Sequence, residues 1–175
     1  MPSGNHQRRR IRLRAEIYAE VGAICSITIA VKGRAPVFAN PAVAAAAGDL
    51  LQRPAAATRV PVYVWCVMPD HVHLVLEASP ACDIVTFVGQ FKNLAQREAW
   101  RLGVTGTFWQ GSFWDHFLRS DERIEQVVEY VLHNSVRAGL VARWWDYPYS
   151  GSTVYEFVDA GGGQAPALRV RSRME

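Results

Sequence analysis

Lysine is nearly absent from this chain. Lys32 and Lys92 are the only two, and the other 17 of its 19 basic residues are arginine. Arginine meets a phosphate with a planar fork of donors, where lysine offers a point charge. Cysteine is scarce as well. Cys25, Cys66 and Cys82 are unevenly spaced and form no C-x-x-C. That excludes a disulfide framework, and an odd count of this kind points to a reducing compartment, the cytoplasm. Cys25 and Cys66 sit in apolar runs and read as core. Long hydrophobic runs are missing too: residues 23–31 are too few to span a bilayer and are broken by Ser26 and Thr28. No apolar stretch follows the charged first residues, so no secretory signal is expected.

What is present is a globular composition, 50% hydrophobic and 20% charged over 175 residues, enough for one well-buried domain and short for two. The net charge of +3 does not by itself announce a nucleic-acid binder. Its distribution says more. Arg8, Arg9, Arg10, Arg12 and Arg14 cluster at one end, and Arg169, Arg171 and Arg173 at the other. Basic runs at both ends of a small domain favour phosphate contact. The expected organisation is a basic arm over residues 1–16, a single domain over 17–158, and a flexible basic tail over 159–175 released by Gly161, Gly162 and Gly163.

Residues 23–31 alternate Ile24, Ser26, Thr28 against Cys25, Ile27, Ile29 and read as a strand. Asn40-Pro41 marks a helix start, an N-cap followed by proline at the first helical position; the alanine-rich helix is expected to stop at Pro54. Residues 60–68 and 71–78 form a hairpin about Pro69-Asp70. Ile84, Phe87, Val88, Phe91, Leu94, Ala95 and Trp100 recur at helical spacing over residues 83–102, with Gly103 closing the helix. A glycine-bracketed aromatic loop, residues 106–111, leads to a short strand over 112–118. Ser120-Asp121-Glu122 then looks like the start of a last helix ending at Gly139. The order strand, helix, strand, strand, helix, strand predicts an α+β fold: a ferredoxin-like split β-α-β sheet with helices on one face, plus an additional C-terminal helix that carries Tyr130.

The chemistry gathers at M-P-D-H-V-H-L-V, residues 68–75. On a strand His71 and His73 project to one side, about 6.6 Å apart along the chain. Val72, Leu74 and Leu76 project to the other. Two imidazoles together can hold one metal ion; they can equally be two polar residues on a solvated face. On the last helix Tyr130 and Asn134 are four residues apart and share a face. The amide oxygen of Asn134 would complete a mixed His71, His73, Asn134 set with open positions for water and a phosphate oxygen.

These residues resemble the single-tyrosine HUH endonucleases. More narrowly, M-P-D-H-V-H-L-V, F-W-Q-G-S-F-W-D-H (residues 108–116), E-Y-V-L-H-N-S-V-R-A-G-L-V (129–141) and Y-P-Y-S-G-S (147–152) resemble the IS200-like transposases, and best the REP-associated tyrosine transposases. The likeness runs from about residue 17 to 157. One position departs: the pattern after the tyrosine usually reads Asn-Pro-Val, and here it is Asn134-Ser135-Val136. The resemblance implies a DNA strand transferase in which Tyr130 attacks a phosphodiester beside a palindromic hairpin, leaving a 5′-phosphotyrosine link and a free 3′-hydroxyl. The implied cofactor is a divalent metal, Mg²⁺ or Mn²⁺, at His71, His73 and Asn134. The implied partner is single-stranded or hairpin DNA, met by Arg8, Arg9, Arg10, Arg12, Arg14, Lys92, Trp109, Gln110 and Arg137. The protein is expected to be a nucleoid-associated monomer or homodimer with no membrane contact. Two other readings share these residues: a domesticated relative that holds DNA or RNA hairpins without cutting, and a metal hydrolase in which water attacks.

Overall fold

The computed structural model describes residues 15–171, apart from the side chains of Ala15, Pro54, Ala55 and Ala56. Arg8, Arg9, Arg10, Arg12, Arg14 and Arg173 therefore lie outside the described residues. A short helix α1 (Ala15–Ala19) leads into β1 (Ile24–Ala30), where the alternation falls as expected: Cys25, Ile27 and Ile29 are buried, and Ile24, Ser26 and Thr28 half-buried. Helix α2 (Pro41–Thr58) starts at Asn40, whose Oδ1 accepts from the Ala42 amide at 3.0 Å. It does not stop at Pro54. A proline removes one hydrogen bond within a helix, and Ala55, Ala56 and Ala57 after it are strong helix formers. The helix ends instead at Arg59, in the left-handed conformation with φ 52°.

Strands β2 (Val62–Met68) and β3 (His71–Glu77) pair antiparallel across the Pro69-Asp70 turn, Met68 opposite His71. Helix α3 (Ile84–Arg101) is capped by Asp83, whose Oδ1 accepts from the Thr86 amide at 2.8 Å. Strand β4 is only four residues (Trp114–Phe117), shorter than the aromatic run suggested. The sheet order is β4-β1-β3-β2, all antiparallel, as the split β-α-β reading requires. A two-residue strand β5 (Ser150–Gly151) extends the sheet beyond β2.

The last helix is shorter than Ser120-Asp121-Glu122 implied. Helix α4 spans Ile124–Leu132, and Ser120 and Asp121 form a turn before it. Glu122 is drawn away from the helix by His116, whose Nε2 lies 3.1 Å from both carboxylate oxygens. After His133 a separate turn, α5 (Asn134–Arg137), follows. The interruption has a local cause: Asn134 Nδ2 donates to the Val131 carbonyl at 3.0 Å and Ser135 Oγ to the Leu132 carbonyl at 3.1 Å. Side chains that bond carbonyls three residues back compete with the helical ladder. Ser135, where the resembled pattern has proline, is thus fully buried with its hydroxyl satisfied.

Two cores sandwich the sheet. Ile27, Ile29, Val72, Leu74 and Leu76 face α2 and α3, meeting Leu51, Phe87 and Phe91. On the opposite face Val64, Cys66, Met68 and Val75 meet Val128, Val131 and Leu132 of α4 together with Trp144 and Tyr155. The glycine run was expected to release a flexible tail. Instead it turns the chain: β6 (Tyr155–Val158) pairs with β7 (Ala167–Val170), and the positive φ of Gly161, Gly162 and Gly163 allows the reversal. Leu168 packs on the second core, and Arg171 Nε donates to the Tyr155 carbonyl at 3.1 Å. No helix among the described residues is long and apolar enough to cross a membrane.

Candidate functional site

Opposed residues in an antiparallel ladder project to the same face. Ser150, Cys66, His73, Thr28 and Trp114 therefore form one row across the sheet, from β5 through β2, β3 and β1 to β4. His73 stands in the middle of that row, on the face that carries α4. His71 lies one strand repeat away, and the two Nε2 atoms face each other at 2.9 Å, with the rings at 87°.

The outer nitrogens are held. His71 Nδ1 is 2.5 Å from Asp70 Oδ1, and Asp70 Oδ2 in turn meets Arg34 Nε at 3.3 Å. His73 Nδ1 is 3.0 Å from Thr28 Oγ1. A carboxylate or hydroxyl accepting from Nδ1 selects the tautomer whose Nε2 bears a lone pair. In those tautomers two lone pairs converge, and together they could hold one cation. Burial pushes His73 down to about 4, helped by nearby His71 and by the charges of Arg137 and Arg34. At neutral pH it is an uncharged imidazole with its lone pair available. Among the described residues no third histidine, cysteine, aspartate or glutamate joins the pair. Further ligands would be amide, water or phosphate oxygens, the donor set that suits Mg²⁺ or Mn²⁺ more than a closed zinc site.

Tyr130 stands on α4 and is 63% exposed beside a groove of about 220 Å³ lined by Glu122, Arg123, Gln126 and Val127. Arg137 folds back from α5. Its guanidinium lies 4.0 Å from the Tyr130 ring centroid, and Nη2 donates to the Tyr130 carbonyl at 2.9 Å and to Asn134 Oδ1 at 2.7 Å. The structure thus brings His71 and His73 together, and separately Tyr130, Asn134 and Arg137.

Lys92, Trp109 and Gln110 are engaged elsewhere. Lys92 Nζ donates to the Gln110 carbonyl at 2.6 Å, Trp109 Nε1 to the Lys92 carbonyl at 2.9 Å, and the Gln110 amide to Ala30. The Trp109 ring packs on Phe38, Phe91 and Phe108. These three residues fasten the aromatic loop to α3 and β1. Sequence reasoning missed Thr28, Asp70 and Arg34, which position the histidines. Asp70 stood within the histidine motif; Thr28 and Arg34 needed the register of β1 against β3, which no spacing reveals.

The split β-α-β sheet thus carries the paired histidines on its central strand, with α4 packed across the same face. The sequence pattern of the family described as "Transposase IS200 like" matches residues 21–134, and the chain belongs to that family. A protein of Haemophilus influenzae assigned as a REP-associated tyrosine transposase is 28% identical over 96 residues, covering 49% of this chain. The chain spans about half, 54%, of that curated relative's length. A solved REP-associated tyrosine transposase bound to a REP hairpin matches with a TM-score of 0.63 at 20% identity, over 76% of this chain and 78% of the other, which establishes the shared fold.

Proposed function

We propose that this protein is a metal-dependent single-strand DNA endonuclease and strand transferase that acts beside palindromic hairpins. The observation that carries the reading is the convergence of His71 and His73 Nε2 at 2.9 Å with both Nδ1 atoms anchored. Family membership supports it, as does the likeness to a transposase whose structure holds a hairpin. His71 and His73 would hold Mg²⁺ or Mn²⁺, with Asn134 Oδ1 as third ligand once released from Arg137. The ion supplies charge neutralisation at the scissile phosphate. Tyr130 Oη attacks phosphorus, the P–O3′ bond breaks, the phenolic proton passes to solvent, and the 3′ oxygen leaves as a hydroxyl. The ester energy stays in the 5′-phosphotyrosine link, so the 3′-hydroxyl can attack back without ATP. Arg137, already over the tyrosine ring, offers its guanidinium to the phosphate.

The test is a covalent adduct. Wild-type protein with Mg²⁺ and a hairpin carrying an unpaired flank should give a protein–DNA band on a denaturing gel. Tyr130→Phe should bind the hairpin equally and give neither adduct nor cleavage. Cleavage by that variant would show that water attacks; hairpin binding with no adduct from wild type would mark a protein that holds DNA without cutting it.

A further inference from the structure

Strand β4 places Trp114 at the far end of the row that contains His73, directly opposite Thr28. Its neighbours in the strand confirm the face. Asp115 and Phe117 point to the first core, where they meet Tyr18, whereas His116 shares the face of Trp114 and reaches Glu122. Helix α4 lies over β2 and β3, and the β1–β4 side is more open: Trp114 is 47% exposed and the His116 side chain 57%.

An indole on an edge strand with half its surface in water invites an explanation. Trp100 is exposed to a similar degree, 48%, but it lies on α3 and its Nε1 donates to the Gly106 carbonyl at 2.7 Å. Trp109 and Trp144 are packed into the cores. Trp114 makes no ring contact and no side-chain hydrogen bond with the described residues. Trp114 shares its open face with Thr28, His116 and, two strands away, His73. An exposed flat ring in one row with the histidine pair is a place where an unpaired base can stack while its backbone runs towards the pair.

We infer that Trp114 is the stacking platform for one unpaired base of the DNA strand, and that it sets which phosphate reaches the histidine pair. Two strand spacings, about 10 Å, separate Trp114 from His73. A nucleotide bridges that gap from its base to its own phosphate, so a base on Trp114 carries an adjoining phosphate to His71 and His73. A duplex cannot use this site, because its bases are already stacked on one another. The platform thus favours unpaired DNA and fixes the cleavage position by counting from the stacked base. This rests on the DNA-cleaving reading above for the phosphate's fate, but the stacking stands apart from the chemistry.

The test uses the full chain in EDTA, where no cleavage occurs, and a hairpin whose unpaired flank carries one 2-aminopurine moved along it position by position. Wild type should quench the fluorophore strongly at one position. Trp114→Ala should lose that quench and weaken binding of the flanked hairpin by about 5- to 150-fold; Trp114→Phe should restore most of the affinity, and Trp100→Phe should change nothing. An abasic nucleotide at the quenched position should reproduce the loss in wild type and add nothing in Trp114→Ala. With Mg²⁺ restored, Trp114→Ala should scatter the cleavage position. Wild-type quenching and affinity in Trp114→Ala would overturn the platform whether or not an adduct forms. Equal loss for a blunt hairpin with no unpaired flank would overturn it too. Absence of an adduct with the quench intact would sink the transferase reading alone.

Discussion

Thr28 shows how much of this site rests on a residue that carries no chemistry itself. Its hydroxyl fixes His73 through Nδ1, and burial keeps that imidazole uncharged at neutral pH. Thr28→Val keeps the shape, the β-branching and the place in β1 while removing the hydroxyl. Partners of this kind are worth about 10- to 100-fold in metal affinity. Mn²⁺ titration followed by electron paramagnetic resonance should therefore show weakening in that range with an unchanged far-UV spectrum; an unaltered isotherm would mean that His73 needs no orienting partner. His71 and His73 were legible in the sequence because strand alternation alone puts them on one side. Thr28 was not, because the register of β1 against β3 is a long-range pairing. Asn134 was expected beside the histidines from its four-residue spacing to Tyr130, and that spacing could not show that it begins a separate turn with its oxygen held by Arg137 at 2.7 Å.

At the scale of elements, close approach decides more than propensity. A Cβ on Gly151 would lie 2.2 Å from Trp65 Cζ2 and 2.7 Å from Cε2, a rigid indole that is only 3% exposed. Strand β5 can reach the edge of β2 only without a side chain there. Gly151→Ala should cost about 1–3 kcal/mol by overpacking, read as a lower urea midpoint. Gly89 is the opposite case. It is exposed within α3, and a Cβ there meets nothing within 4 Å. Gly89→Ala should raise the midpoint, by about 0.5–1 kcal/mol, and a fall would show that the glycine serves something other than the helix. The same contrast explains which elements the sequence disclosed. The cap at Asn40 was legible because its signal is local. The start of α4 was misread because Glu122 answers to His116 on another strand, and the glycine run was misread because β6 and β7 pair across it.

For the molecule as a whole, the α+β architecture followed from element order, since four strands and two helices in that sequence have few right-handed, unknotted arrangements. What the order could not give was the division of labour between the two faces of the sheet. The face under α2 and α3 is closed by apolar packing, and the opposite face carries His71, His73 and Trp114, with Tyr130 on α4 and Arg137 on α5. The positive charge divides as well. Arg34 meets Asp70 beside His71, and Arg123 and Arg137 lie about Tyr130, while Arg8, Arg9, Arg10, Arg12 and Arg14 belong to a segment outside the described residues. If the arm grips the hairpin stem and the interior arginines grip the scissile strand, the two sets should separate in a salt titration. Each arginine that neutralises a phosphate adds roughly 0.7 to 0.9 to the magnitude of the log–log slope of affinity against salt. Removing residues 1–14 should then lower that magnitude by about 2 to 3 if three of the five arginines make contact. The rate of adduct formation at saturating DNA should stay unchanged, because the residues proposed for the chemistry, His71, His73, Tyr130 and Asn134, all lie within residues 15–171. Superimposable slopes for the full and trimmed chains would assign stem binding to the domain itself, and a lower saturated rate would mean that the arm reaches the cleavage site.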